Sequence, residues 1–512
     1  MLNAPRHTLR LIQLAYTFGR CGAAMSLRRA GFPVWFCQLF SIISRRRLPK
    51  REGERLRLAL AKMGPTFIKL GQALSTRSDL VGEEVAKDLA QLQDRIAPFS
   101  TPIARRIIEE GLEKPINELF SEFSDTPVAA ASIAQVHFAT TIDGHEVAVK
   151  VLRPGIREAF DKDIGLFYWI AEAVEQHLPE TRRLKPVEIV RTFEDSIARE
   201  LDLRMEAAAG QKLRDNTLND EGFYIPEVDW SRSCARVLTM ERIEGIPISD
   251  VQALRDAGHD MDDLIAKAAN TLFKQVFRDG FFHADLHPGN LFVSSEGNLI
   301  AVDFGITGRL DTKSQLFIAE ILRAFLSQDY KRVAEVHIMA GYVPPDQSVE
   351  DFALACMAIG KPILGKPLHD ISVGQLLGQL FTVSALFEME TQPQLLLLQK
   401  NMMLAEGVGR MLNPHINMWK LAEPLIENWA QHHLSLEGRV RLIADEAYEV
   451  AKRLPVILRK IDEFSHNIDG SGMKIHPETL KELQQQRSYW HKQWLTLAWV
   501  AVLGAITLAV IN

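Results

Sequence analysis

His283-Ala284-Asp285-Leu286-His287-Pro288-Gly289-Asn290, followed thirteen residues later by Asp303-Phe304-Gly305, is the stretch of sequence that decides the fold. It combines a carboxylate, an amide five residues later and a second carboxylate at the end of the apolar run 299–302, a combination typical of sites that handle phosphoryl groups. Asp285 can accept a proton from an attacking hydroxyl or orient that hydroxyl. Asn290 and Asp303 can hold Mg²⁺ against phosphate oxygens, because this ion prefers hard oxygen ligands.

The segment upstream supplies the rest of a kinase-like nucleotide site. Val147-Ala148-Val149-Lys150 matches the V-A-I-K strand, whose lysine pairs with nucleotide phosphates. Asp143-Gly144 predicts a hairpin turn just before that strand. Before the turn lies a loop that corresponds to G-x-G-x-x-G-x-V but has alanine at each glycine position. Because alanine restricts close backbone approach and positive φ, we expect this loop to hold phosphates differently and to flex less. Its members are Ala129, Ala130, Ala131, Ser132, Ile133, Ala134, Gln135 and Val136.

These motifs, together with Lys69-Leu70-Gly71-Gln72 and Glu200-Leu201-Asp202, resemble the UbiB family of atypical kinases, the ubiquinone-biosynthesis group, over nearly the whole chain. The resemblance implies an α+β, bilobal, mostly helical kinase-like fold. It implies an N-terminal KxGQ helical extension folded over the place where a protein kinase receives its peptide. It also implies binding of ATP or ADP with Mg²⁺, ATPase activity, a preference of the alanine-loop form for ADP, and support of ubiquinone synthesis at a membrane.

The family roles carry over position by position. Lys150, Asp285, Asn290 and Asp303 match the catalytic set, and Asn290 and Asp303 within it match the metal ligands. The remaining matches are Glu206 as the helix-borne partner of the lysine, Met240 and Glu241 as the hinge that meets adenine, and Lys69, Gly71, Gln72, Glu200 and Asp202 as the family-specific regulatory set. Ala209 departs from the family, which often has asparagine there.

The family-specific residues have simpler alternatives. Lys69 and Gln72 lie three apart, so on a helix they share one face and can reach the nucleotide cleft together. Without the resemblance, Lys69 would be taken for a surface lysine. Glu200, Asp202 and Glu206 would be taken for a solvated helix edge, because charged residues on helix faces are usually solvated.

Two absences argue against a protein substrate. Ala284 stands where many kinases have the arginine that grips a phosphorylated activation loop. No A-P-E follows Gly305, and a helical pattern begins near Ser314. The expected phosphoryl acceptor is therefore water or a small or lipidic hydroxyl.

Composition indicates a large folded enzyme. The 512 residues are 47% hydrophobic, enough for more than one domain. A net charge of −6 argues against nucleic acid as a partner. The four cysteines lack CxxC spacing, which favours reduced thiols and no zinc site.

Both ends of the chain suggest a membrane. No acidic residue precedes Glu52, so the basic, aromatic-bearing segment before it suits an anionic lipid surface. A transit peptide or an extension packed on the body are the alternatives. The run 494–511 is uncharged, would span about 27 Å as a helix and has tryptophans at its start. We expect one transmembrane helix in the cell inner membrane with the catalytic body on the cytoplasmic side; the alternative is a buried C-terminal helix.

The predicted organisation has five parts: a basic amphipathic extension (1–62), the KxGQ helical extension (63–125), the small lobe (126–245), the helical large lobe (246–490) and the transmembrane helix (494–511). Three functions stay open: an ATPase that serves quinone-precursor handling, a lipid or small-molecule kinase, and a nucleotide-binding scaffold. Expected partners are anionic membrane lipids, ubiquinone-pathway lipid intermediates and other enzymes of that pathway.

Overall fold

The computed structural model describes residues 4–23, 48–75, 81–89, 91–92, 97–177, 185–362, 383, 386–389, 393–416, 418–433, 468–469 and 472–473. The chain divides into two compact units, Met1–Ala430 and Gln431–Asn512. In the second unit, the description covers residues 431–433 and a short antiparallel pair of strands, Ile468–Asp469 and Gly472–Met473. All further features belong to the first unit, except the last three residues of the helix that ends at His433.

The N-terminal extension is a layer of helices whose apolar faces join the main core. They are α1 (Ala4–Arg20), α2 (Glu52–Met63), α3 (Pro65–Ser75) and α4 (Glu83–Leu89). Phe18, Leu60, Phe67 and Leu89 are buried in that core. Helix α2 runs across the predicted boundary at residue 62, so the KxGQ extension and the described part of the segment before it form one packed layer.

Helix α1 is anchored by its charge as well as its apolar face. The guanidinium of Arg10 donates to both carboxylate oxygens of the buried Asp163, at 2.8 and 3.0 Å, and to the Met63 carbonyl. Of the three interpretations of the basic N-terminus, packing on the body of the protein therefore describes this helix.

The small lobe is built on an antiparallel sheet that presents Lys150. The helices α5 (Thr101–Leu112) and α6 (Ile116–Leu119) precede the strands β1 (Phe120–Phe123), β2 (Ala129–Ala130), β3 (Ala134–Thr141) and β4 (Glu146–Leu152). The helices α7 (Ile156–His177), α8 (Pro186–Glu200) and α9 (Leu203–Thr217) follow, and then the strands β5 (Phe223–Tyr224) and β6 (Val237–Glu241). The sheet order is β1-β3-β4-β6, with β2 paired to β3.

The β3–β4 connection is the hairpin that Asp143-Gly144 predicts. Gly144 has φ of 85°, a conformation that suits glycine, and its amide donates to the Thr141 carbonyl. Val149 and Val151 of β4 are fully buried beneath helix α5, with Ile108 beside them. The alternation of β4 leaves Lys150 pointing to the other face.

The large lobe begins with short strands that hold the catalytic motifs. In chain order its elements are β7 (Ile246–Pro247), α10 (Val251–Asp256), α11 (Met261–Phe273), a π-turn (Lys274–Arg278), β8 (Phe281–His283), a 3₁₀ turn (Pro288–Asn290), β9 (Leu291–Val293), β10 (Leu299–Ala301) and β11 (Thr307–Arg309). One sheet has the order β5-β10-β9-β7, and β8 pairs with β11. The two motifs of the opening sequence thus lie at the ends of neighbouring strands.

Helices complete the large lobe: α12 (Thr312–Leu326), α13 (Tyr330–Met339), α14 (Val349–Gly360), α15 (Pro393–Leu412) and α16 (Met418–His433). The predicted mostly helical α+β fold class is confirmed. None of the helices among the described residues is long and apolar enough to cross a membrane. The predicted transmembrane run 494–511 lies outside the described residues.

Gly210 lets helix α9 approach the buried ring of Phe304. A Cβ at this position would lie 2.7 Å from the ring, whereas a Cβ at Gly407 of α15 would meet nothing within 4 Å. Neither glycine has positive φ, so each differs from alanine only in helix propensity and in the space around it.

We expect Gly210→Ala to lower the melting temperature and Gly407→Ala to raise it. Alanine favours a helix interior by about 1 kcal/mol over glycine, but overpacking against a fixed ring costs about 1–3 kcal/mol. Thermal unfolding of the two variants followed by circular dichroism makes the comparison. Equal gains in both would show that Phe304 yields without cost.

Candidate active site

Lys150 joins the two lobes through one ammonium group. Its Nζ donates to Oε1 and Oε2 of Glu206 at 2.7 and 2.9 Å and to Oδ1 of Asp303 at 3.1 Å. Strand β4 supplies the lysine, helix α9 supplies Glu206 and the turn after β10 supplies Asp303. Three residues that the sequence places far apart are thus within one set of charge-assisted hydrogen bonds.

The charges in this cluster shift one another's pKa values. The ammonium of Lys150 holds the pKa of Asp303 well below its usual range. Burial alone would lower the pKa of Lys150, but the charges of Asp303 and Glu206 outweigh it and raise that pKa. Burial raises the pKa of Glu206 to about 7, against the opposing charge of Lys150. At neutral pH the cluster therefore presents a cation and an ionised Asp303 to the cleft.

Asp303 is the member of the cluster that a ligand can reach. Its side chain is 51% exposed, compared with 13% for Lys150. Its φ of 64° is uncommon for a residue other than glycine, and such backbone strain concentrates at functional sites. The amide of the preceding residue, Val302, donates to the Asn290 carbonyl at 3.0 Å, so the two predicted metal ligands are carried by adjacent segments.

The candidate catalytic loop, residues 284–290, is held by partly buried hydrogen bonds. Nδ2 of Asn290 donates to the Asp285 carbonyl at 3.1 Å, which leaves Oδ1 as the amide atom that can bind a metal. Nδ1 of His283 accepts the Asp285 amide at 3.1 Å, so its Nε2–H donates to the Val302 carbonyl at 3.2 Å. Burial lowers the pKa of His283, which keeps the imidazole neutral in this role. His283 thereby ties the loop of Asp285 to the strand of Asp303.

These donors suit a magnesium nucleotide. A carboxylate and an amide oxygen are hard ligands, and a nearby lysine can neutralise phosphate charge. Among the described residues, no group of three or more His, Cys, Asp or Glu could hold a metal by itself. A protein set this small matches Mg²⁺, which usually takes one or two carboxylates together with phosphate oxygens and water.

The alanine loop lies directly beside Lys150. Val136 on β3 is opposite Lys150 in the register and also opposite Ala129 on β2. Within the loop, the Ala131 amide donates to the Ala134 carbonyl at 2.8 Å. The guanidinium of Arg153 donates twice to the Ala131 carbonyl, at 3.0 and 2.8 Å, and its own amide bonds the Ile133 carbonyl. The loop is therefore closed by side-chain and backbone hydrogen bonds.

The side chains of Gln135 and Arg153 connect this loop to residues 97–99, which precede helix α5. Gln135 is fully buried. Its side-chain Nε2 donates to the Phe99 carbonyl at 3.2 Å, and its Oε1 accepts the backbone amide of Phe99 at 2.9 Å. Arg153 also donates to the Ala97 carbonyl at 3.0 Å. The sequence analysis places Gln135 in the nucleotide loop but does not identify this bridge. No local pattern reveals it, because its partners are 36 and 56 residues away.

The KxGQ and ExD motifs meet through the ion pair of Lys69 with Glu200. Nζ of Lys69 lies 2.8 Å from Oε2 of Glu200, and the two side chains are only 12% and 13% exposed. The charge of Lys69 also contributes to the lowered pKa of Asp303. Lys69 is thus a mostly buried, paired lysine, and its helix brings a second ammonium towards the carboxylate of Asp303.

The other residues of these motifs have local roles. Asp202 accepts the Arg204 amide as the N-cap of helix α9 and pairs with the Arg204 guanidinium, which lowers its pKa. An aspartate just before a helix is an N-cap signal that the sequence analysis does not use. Gln72 donates to the Leu92 carbonyl at 3.4 Å. A Cβ on Gly71 would lie 2.3 Å from the Leu92 side chain, so this glycine permits close packing.

The predicted hinge is only partly open to an adenine. The Glu241 amide donates to the Glu227 carbonyl at 2.8 Å, and Met240 forms a bridge with Val228. Oε2 of Glu241 also accepts the Tyr224 hydroxyl. The backbone amides of Glu241 and Arg242 are therefore engaged within the small lobe, the latter with the Glu146 carbonyl at 3.1 Å, and we expect the segment 243–245 that follows to meet the base.

The side chain of Asp285 has a partner that the sequence does not predict. Nζ of Lys400, on helix α15, lies 2.7 Å from Oδ1 of Asp285. The next residue, Asn401, is fully buried and bonds the same loop. Lys400 follows a leucine run and carries no motif, so only the tertiary structure brings it to the site.

We expect Lys150→Met to make folding stability fall as pH rises. The charge of Lys150 lowers the pKa of the buried Glu206, so removing it moves that pKa above about 7. A carboxyl whose pKa is higher in the folded than in the unfolded chain stabilises the fold while it is protonated. This contribution is complete below the pKa of the unfolded chain, here 4.5, and it is lost as pH rises through the pKa of the folded chain.

Melting temperatures across this pH window test the prediction. Lys150→Met combined with Glu206→Gln is the control, since its amide cannot ionise and its stability should depend less on pH. Identical pH slopes in the single and double variants would contradict the assignment to Glu206.

Family comparisons match two consecutive parts of the chain. The ABC1 atypical kinase-like domain matches residues 91–337, and the UbiB helical domain matches residues 356–417. The first match contains Lys150, Glu206, Asp285, Asn290 and Asp303, and the second contains helix α15.

Three relatives described as "Probable protein kinase UbiB" are similar over most of their length. The relative from Marinobacter nauticus is 43% identical, with 88% of this chain and 85% of the relative covered. The Erwinia tasmaniensis relative is 41% identical over the same shares. The Pseudomonas entomophila relative is 44% identical over 90% and 86%.

A solved structure agrees with the fold. The complex of Rv3197 with erythromycin from Mycobacterium tuberculosis is 26% identical and covers 72% of this chain and 93% of its own, with a TM-score of 0.53. With a kinase-like domain, an adjoining helical domain and relatives above 40% identity, this chain belongs to the UbiB family of atypical kinase-like proteins.

Proposed function

We propose that this chain is a phosphoryl-transfer protein that binds ATP or ADP with Mg²⁺ between its two lobes and hydrolyses ATP. The observation that carries the proposal is the contact of Lys150 with both Glu206 and Asp303, because this contact forms only when the small lobe, helix α9 and the DFG turn are correctly placed. The kinase-like family membership supports a phosphotransferase-like class.

Each residue has a defined task in this proposal. Lys150 pairs with phosphate oxygens and is held in place by Glu206. Asp303 and Asn290 hold Mg²⁺, which neutralises charge on the phosphoryl group when it is bound. Asp285 orients the attacking hydroxyl or accepts its proton, and general-base catalysis of this type contributes about 10²–10⁴-fold. The alanine loop, closed by Arg153, covers the phosphates with little room to adjust.

The proposed acceptor is water or a lipidic hydroxyl, and the proposed process is ubiquinone biosynthesis. Ala284 and the absence of A-P-E in the sequence support a non-protein acceptor. The layer of helices α1 to α4 also supports a non-protein acceptor, because Lys69 of that layer pairs with Glu200 near the site. In this role the nucleotide cycle makes lipid precursors accessible or organises the enzymes of the pathway. A true lipid or small-molecule kinase is the second candidate, and a non-catalytic scaffold is the third.

We expect Asp303→Asn to abolish the magnesium-dependent part of nucleotide affinity, because a carboxylate ligand is lost. Asp285→Asn should keep nucleotide affinity but lower ATP turnover by about 10²-fold or more, because the base is lost. Calorimetry with and without Mg²⁺ and release of phosphate from ATP measure the two effects. Unchanged magnesium-dependent affinity in Asp303→Asn would remove this residue from the metal site.

The fate of γ-labelled phosphate separates the three functions. Free labelled phosphate, lost in Asp285→Asn, supports the ATPase. A labelled lipid or quinone precursor would identify a kinase instead, and nucleotide binding without any turnover in the wild-type protein would identify a scaffold.

The proposed location is the cell inner membrane, with a single span at 494–511 and the catalytic body on the cytoplasmic side. Support comes from the uncharged sequence of this run and from Arg487, His491 and Lys492 before it. We expect the full chain to float with anionic liposomes and a variant ending at residue 493 to remain mostly in the soluble fraction. Equal flotation of both would show that membrane contact resides elsewhere in the chain.

A further inference from the structure

Helix α15 contacts the catalytic loop with two consecutive side chains. Nδ2 of the fully buried Asn401 donates to the His283 carbonyl at 2.6 Å, and its Oδ1 accepts the Leu286 amide at 3.3 Å. These two backbone groups lie on either side of Asp285. A single buried amide thus fixes the backbone from which the catalytic carboxylate projects, and a buried amide without these partners would be costly.

Lys400 acts on the side chain of Asp285 itself. Its Nζ lies 2.7 Å from Oδ1, and the two side chains are 30% and 25% exposed. Oδ1 of Asp285 is therefore held by the ammonium of Lys400, while both side chains remain partly exposed. Of the two oxygens of Asp285, Oδ2 is left to meet the attacking hydroxyl.

The position of Lys400 is set by the packing of its helix. Leu398, Val408 and Leu412 of α15 are buried, and the latter two belong to the main core. Asn401 adds a buried polar anchor one residue away. Lys400 is thus carried by a helix that packs into the core, and Asn401 of the same helix bonds the loop of Asp285.

An ammonium at this place solves two physical problems. A carboxylate can rotate about its Cβ–Cγ bond, and a charge-assisted hydrogen bond to one oxygen fixes its plane. The carboxylate must also work beside the negative oxygens of a phosphoryl group, and a cation within hydrogen-bond distance offsets the repulsion between them.

We propose that Lys400 is a positioning residue for Asp285, supplied by the helical domain to complete the catalytic centre of the kinase-like domain. This inference rests on the proposed phosphoryl-transfer function. It assigns the helical domain a direct part in turnover, since the catalytic carboxylate of one domain is oriented by a cation from the other.

Kinetics of Lys400→Met test the proposal on the full chain. We expect kcat for ATP hydrolysis to fall at least tenfold while KM and the calorimetric affinity for Mg-ADP change less than threefold, because Lys400 acts on Asp285. Lys400→Arg, which keeps a cation, should recover part of the loss. Arg410→Met removes the same charge from the same helix, at its Glu406 pair, and should leave kcat unchanged.

A double variant shows whether the effect passes through Asp285. In an Asp285→Asn background, Lys400→Met should cause little further loss of turnover. An equal loss in both backgrounds, or wild-type kcat in Lys400→Met, would overturn the role of Lys400. Failure of the wild-type protein to hydrolyse ATP would instead refute the proposed function itself. Melting temperatures of all variants identify any loss of kcat that comes from unfolding.

Discussion

The organising constraint of this structure is a single ammonium group, that of Lys150, shared between two carboxylates from different parts of the chain. Burying one charge is costly unless opposite charges meet it with good geometry. Glu206 on helix α9 and Asp303 in the large lobe supply these opposite charges. The lysine therefore holds strand β4, helix α9 and the DFG turn together, and the proposed nucleotide site lies where these three elements meet.

The same charge pattern is repeated around the cleft. Lys69 pairs with Glu200, Lys150 pairs with Glu206 and Asp303, and Lys400 pairs with Asp285. Each lysine comes from a different layer: the N-terminal extension, the small lobe and the helical domain. The acids can hold a metal or a proton, and the lysines can neutralise phosphate. All three layers must pack together before the full set exists, which gives the extension and the helical domain a role at the site.

Much of the fold and of the site can be predicted from local sequence. Short patterns predict strands over about 128–152 and from Arg236 to Glu241, the turn at Asp143-Gly144 and the helix that carries Glu206. The structure has strands, a turn and a helix at these places. Other contacts are not part of the sequence-based expectations. Asp202 caps a helix and pairs with Arg204, and the Glu241 amide is engaged by Glu227. The bridge from Gln135 to Phe99 has no local signature, since a glutamine in a loop can bond any backbone within reach.

By itself, the sequence determined which residues are the candidates for the chemistry, because motif spacing and residue type fix what Lys150, Asp285, Asn290 and Asp303 can do. It also determined the kinase-like class, because the motifs that carry the family resemblance are short patterns of the chain. Only the tertiary structure decided which charges meet. Lys400 reaches Asp285 across 115 residues, and Lys150 reaches Asp303 across 153. Such pairings depend on how helices and strands pack, and no local pattern specifies the packing of elements so far apart in the chain.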